Sequence, residues 1–126
     1  MITYNFNRQF TPPAPFVFVT IRSTDLTRAF VDVPALVDTG ADRTILPTKI
    51  VTDLGVPETG DVKVVGLGGQ LHTIPTYAVQ VEIKGLSAVM VDVAASSGET
   101  YVLVGRDILN NFRMVFDGPA RKLEFL

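Results

Sequence analysis

Apolar and polar residues alternate with a period of two at the start of the chain. Ile2, Tyr4 and Phe6 are separated by Thr3, Asn5 and Asn7, the pattern of a half-buried strand. Three prolines within residues 11–15 end that ladder, because proline has no N–H to donate. Residues 16–21, Phe-Val-Phe-Val-Thr-Ile, are aromatic and β-branched and predict a second strand. Ser23, Thr24 and Asp25 form a turn cluster, and a third strand is expected over residues 29–37, interrupted at Pro34. Proline at 47 and glycine at 55 bracket a short helix. Residues 61–78 predict a hairpin with Gly66, Gly68 and Gly69 at its tip. Val79, Val81 and Ile83 alternate with Gln80, Glu82 and Lys84, giving a strand with one wet face. Further strands are expected at residues 88–93 and 101–104, then a short helix opening at Gly105. Residues 114–116 and 122–126 close the chain as a hairpin-like pair across Asp117-Gly118-Pro119-Ala120. Phe16, Phe18, Phe30, Phe112 and Phe116 are assigned to the core. Many short strands punctuated by turns predict an all-β barrel or sandwich with small helices.

Composition narrows this. A length of 126 residues suits one compact domain, so a single domain over residues 1–126 is expected, and 47% hydrophobic residues can supply its core. Eleven basic and 13 acidic residues, spread along the chain, give a net charge of −2. No basic stripe marks a nucleic-acid partner. With no cysteine and a single histidine, His72, neither disulfides nor a thiolate or His-rich metal site is expected, and no cofactor is needed. His72 reads as a surface strand residue. The chain opens without a signal-peptide pattern, and no apolar run approaches membrane-spanning length. A soluble cytoplasmic protein is therefore expected.

The candidate chemistry lies in residues 35–46, A-L-V-D-T-G-A-D-R-T-I-L. An aspartate at the end of an apolar strand is costly unless its surroundings hold it. Gly40 lets backbone approach the carboxylate or lets the chain take a positive φ, and the Thr39 hydroxyl can both donate and accept. One carboxylate hydrolyses little alone. Two held close share a proton, so that one serves as base toward a water and the other as acid toward a carbonyl oxygen. Glu58-Thr59-Gly60 is the similar triplet, but it follows Pro57 and reads as a polar turn. The second carboxylate is therefore expected from another copy of the chain across a twofold axis. A weak internal repeat accompanies it: Leu36-Val37 runs into Asp38 much as Leu103-Val104 runs into Gly105.

Three separated elements carry a resemblance to the retropepsin-like (retroviral-type) aspartic proteases across residues 16–116. They are Leu36-Val37-Asp38-Thr39-Gly40-Ala41-Asp42 with Ile45-Leu46, the glycine-rich Val65-Gly66-Leu67-Gly68-Gly69, and Leu103-Val104-Gly105-Arg106-Asp107-Ile108-Leu109. The resemblance implies a closed barrel, one lobe per chain, working as a homodimer on peptide or protein substrates. It implies Asp38 as the catalytic acid, with Thr39 bonding across the dimer and Gly40 presenting backbone to substrate. Asp42 would meet the substrate backbone and pair with Arg106, a structural support. Gly66, Leu67 and Gly68 would form the tip of a flap that closes over a bound peptide. Pepsin-like relatives place a serine or threonine after the triplet. Ala41 has no such hydroxyl, so activity is expected toward mildly acidic rather than strongly acidic pH. Arg43 replaces an acidic or polar residue common in viral members; it either faces solvent, the preferred reading, or meets acidic substrate side chains. Viral relatives interleave their terminal strands in the dimer, whereas the longer ends here look more like those of cellular members. The expected activity is that of an aspartic endopeptidase. The alternatives are a non-catalytic peptide-binding or dimerisation module on the same fold, or a protease that processes its own precursor.

Overall fold

β-Strand alternation places Val17, Val19 and Ile21 inside and Phe18 outside along the first long strand of the computed structural model, which describes residues 1–66 and 68–126. Among the described residues, ten strands and two short helices follow one another. They are β1 (Ile2–Asn5), β2 (Phe16–Arg22), β3 (Ala29–Val37), β4 (Ile45–Pro47), α1 (Thr48–Leu54) and β5 (Glu58–Val65), then β6 (Leu71–Ile83), β7 (Val89–Ser96), β8 (Val102–Val104), α2 (Arg106–Leu109), β9 (Met114–Asp117) and β10 (Lys122–Phe125).

Seven strands form one sheet in the order β2-β3-β8-β4-β7-β6-β5, and β2 also pairs with β6. That extra pairing joins the sheet to itself, so β2, β3, β8, β4, β7 and β6 make a closed barrel, with β5 added outside the ring. Closure removes sheet edges that would otherwise lie open. β1, β10 and β9 form a separate three-stranded antiparallel sheet. Both sheets share one core: Leu123 and Phe125 of β10 and Ile108 and Leu109 of α2 are buried in the same cluster as Val17, Val81 and Val104. Edge-to-face packing of Phe125 against Tyr4 and Phe112 fastens the terminal strands to each other and to the end of α2. No helix among the described residues is long and apolar enough to cross a membrane.

Several expectations change in detail. Pro34 does not interrupt β3; it pairs with Phe18 of β2, and β3 gains β8 as a second neighbour only from Ala35 onward, so Pro34 lies where the strand is still an edge. A bulge nearby, where the β2 register shifts between Val19 and Ile21, holds Asp32 at a positive φ. Glu58-Thr59-Gly60 is not a turn but the start of β5, bulged against β6, with the Thr59 and Thr76 hydroxyls 3.0 Å apart. Phe18 and Phe116 are not core residues, being 46% and 43% exposed. Phe18 follows the alternation of β2 outward, and Phe116 lies on β9, an edge strand. Gly55 ends α1 in the left-handed conformation, its N–H bonded to the carbonyls of Val51 and Thr52.

Candidate active site

β3 and β8 run parallel and in register, Leu36 beside Leu103 and Val37 beside Val104, so the two apolar-strand-into-glycine-turn segments of the sequence lie side by side. The chain leaves β3 at Asp38, whose N–H donates to the Val104 carbonyl at 3.0 Å. The turn closes with Ala41 N–H on the Asp38 carbonyl at 3.1 Å, and Gly40 N–H donates to Asp38 Oδ1 at 3.0 Å. Asp38 is half-buried, while Thr39 and Gly40 are exposed. Gly40 serves here by close approach and not by a positive φ: a Cβ on it would stand 3.2 Å from Asp38 Oδ1.

α2 supports this loop from below. Arg106 N–H donates to the Ala41 carbonyl at 2.9 Å, and its guanidinium donates to the Thr39 carbonyl at 2.8 Å. The Asp42–Arg106 ion pair expected from the sequence is not among the salt bridges of the described residues; the exposed Arg106 reaches the backbone of the loop instead. Thr44 and Asp107 do what sequence reading did not assign to them. Thr44 is fully buried. Its N–H and hydroxyl donate to the two oxygens of the Asp107 carboxylate at 2.9 and 2.7 Å, and its hydroxyl accepts from Gly105 N–H at 3.0 Å. The only sequence signal for this lock is a hydroxyl residue placed just ahead of the apolar Ile45-Leu46.

Arg43 is half-buried as a residue, and its Nη1 donates to the Asp92 carbonyl at 2.8 Å in a bond exposed to solvent. Above the loop, the β5–β6 hairpin ends in Gly66, with Gly68 and Gly69 at positive φ, conformations that glycine alone adopts cheaply. Gly66 N–H bonds to the Gln70 carbonyl and Gly69 N–H to the Gly66 carbonyl. The paired Val65 and Leu71 just inside that end are 67% and 65% exposed. Leu67, the expected tip contact, lies outside the described residues.

A groove of about 620 Å³ separates loop from hairpin. Residues 40–43, Ile45, Ala94 and Arg106 line one side, and residues 62–65 of β5 the other. Of the expected substrate-binding residues, Gly40 and Asp42 line it, while Gly66 and Gly68 stand at the hairpin end beyond its lining. The arrangement is a groove under a two-stranded arm, lined by the loop that begins at Asp38, while Asp38 and Thr39 themselves are not among the lining residues.

A family model described as "gag-polyprotein putative aspartyl protease" matches residues 29–111. No curated protein matches the chain. Among solved structures the chain is similar to a retropepsin-like aspartic protease from Rickettsia conorii, at 16% identity and a TM-score of 0.62, covering 97% of this chain and 86% of that one. It is similar to the EIAV protease, at 23% identity and a TM-score of 0.61, covering 78% and 86%. The simian foamy virus (mac) protease aligns at 19% identity with a TM-score of 0.54, covering 76% and 92%.

Proposed function

The chain belongs to the gag-polyprotein aspartyl protease family, and from that premise we propose that it is an aspartic endopeptidase whose reaction centre is completed by a second copy of itself. The observation that carries the reading is the setting of Asp38. One carboxylate per chain sits at the end of an apolar strand, held by Gly40 N–H, immediately before the Gly40–Arg43 stretch that lines the groove under the β5–β6 hairpin. In the dimer, Asp38 and the partner subunit's Asp38 flank one water and hold one proton between them. The ionised carboxylate takes a proton from the water as its oxygen attacks the peptide carbonyl carbon, and the protonated carboxyl gives its proton to the carbonyl oxygen. The gem-diol collapses when the protonated carboxyl gives its proton to the amide nitrogen, the ionised carboxylate takes a proton from a gem-diol hydroxyl, and the C–N bond breaks, which restores one proton to the pair. Thr39 bonds across the dimer, Gly40 and Asp42 present groups to the substrate backbone, and Arg106 stiffens the loop through the Thr39 carbonyl. The hairpin end, from Gly66 through Leu67 to Gly68, closes over the bound peptide. Residues 1–126 act together as one lobe.

Incubation with casein and a peptide library across pH, with and without pepstatin, tests this. Asp38→Asn is expected to lower kcat by roughly a hundredfold to ten-thousandfold, and activity is expected to peak at mildly acidic pH. A pH–rate profile confined to strongly acidic values would refute the role given to Ala41. Cleavage that survives Asp38→Asn would refute the mechanism, and a well-folded dimer that cleaves nothing would point to a peptide-binding module.

A further inference from the structure

We propose that the groove selects peptides carrying an acidic side chain close to the bond that is cut, and that Arg43 is the residue that reads it. The cleavage part of this rests on the endopeptidase reading above; the binding part does not.

The groove is cationic in a protein whose net charge is −2. Arg43, Lys63 and Arg106 line it against the single carboxylate of Asp42. None of the three is neutralised: the ion pairs among the described residues are Arg22–Glu82, Lys49–Asp53 and Lys84–Asp32, all elsewhere. A cleft lined by one sign of charge concentrates ligands of the other sign and repels its own. Within the trio the roles differ. The Arg106 guanidinium is engaged by the Thr39 carbonyl, and Lys63 is an exposed side chain on β5.

Arg43 is half-buried and aimed. One nitrogen of its guanidinium is tied to the Asp92 carbonyl, which fixes the plane of the fork and leaves its remaining donors for a ligand. It stands between the main groove and an adjoining depression of about 380 Å³ that Asp42, Asp92 and Asp107 also line. The Asp107 carboxylate is committed to Thr44, and neither Asp42 nor Asp92 forms an ion pair with Arg43. A guanidinium already held by one backbone carbonyl is suited to a carboxylate by two parallel hydrogen bonds, a geometry that a lysine cannot reproduce.

Matched fluorogenic peptides carrying Glu, Gln or Lys at each position within a few residues of the cleaved bond test the assignment. At one position kcat/KM is expected to favour Glu over Gln by roughly tenfold, with Lys disfavoured and the preference shrinking as salt is added. In Arg43→Gln the Glu-to-Gln ratio falls to about one, in Arg43→Glu it inverts toward Lys, and Arg43→Lys keeps an intermediate ratio. The same peptides, labelled for fluorescence anisotropy, are titrated into Asp38→Asn protein, where binding is read without turnover. Equal handling of Glu and Gln peptides in both measurements overturns the proposal. A ratio that survives Arg43→Gln but is lost in Lys63→Gln overturns the choice of Arg43. Absence of cleavage together with tighter binding of Glu peptides would defeat the hydrolase reading and leave the charge selection standing.

Discussion

A methyl group on Gly105 would stand 2.7 Å from the carbonyl carbon of Arg43 and 3.0 Å from the Ala41 oxygen, both backbone atoms of the Asp38 loop. The φ of Gly105 is −95°, in the extended range open to any residue, so the demand for glycine here is steric. Gly105→Ala is expected to push the loop off its support and cost about 1–3 kcal/mol in urea unfolding. Gly118→Ala, where the added carbon meets nothing within 4 Å, is expected to stay within about 0.5 kcal/mol of wild type. At this scale the sequence was only partly legible. Asp38 announced itself, because a carboxylate after an apolar strand needs a reason. Gly105 read simply as a helix opener and Thr44 carried no assigned role, because both act through partners far away along the chain.

The turn between β2 and β3 is an element built on hydroxyls, and it gives a pH prediction. Asp25 accepts from the Ser23 hydroxyl at 2.7 Å and from the N–H and hydroxyl of Thr27 at 3.0 and 2.7 Å. These bonds, the Ser23 hydroxyl foremost, favour the carboxylate and lower its pKa from 3.8 to about 2. A folded-state value below the unfolded one stabilises the protein above the unfolded value, and that stability disappears as pH falls through the folded one. The stability gap between wild type and Asp25→Asn should thus be constant above about pH 5 and shrink between about pH 4 and 2, as followed by urea melts at each pH. A gap that does not vary with pH would show that these bonds do not favour the charged form. Element type was readable from alternation and turn chemistry almost throughout. The misreadings fell where neighbours decide: Pro34 is tolerated because β3 is an edge there, and the Glu58 triplet is strand because β6 lies beside it.

At the scale of the whole molecule, the β2–β6 pairing converts a curled sheet into a barrel, and the ends of the chain pair with each other, β1 with β10. Neither was legible in the hydrophobic pattern, which gives strands but not their order; the resemblance supplied the barrel. The cis pairing of the ends bears on assembly, since a second copy can join the terminal sheet only at its open sides, β1 or β9, unless those pairs come apart. For the proposed dimer, activity per milligram is expected to fall on dilution below the dissociation constant, in step with the mass seen by sedimentation. Constant specific activity in a strictly monomeric sample would contradict the shared centre. The bonds under the Asp38 loop carry one more consequence. Thr39 and Arg106 are 67 positions apart, so a chain emerging from the ribosome presents its acid well before the residues that seat it exist. The loop around Asp38 thus reaches its final geometry only after synthesis has passed Asp107.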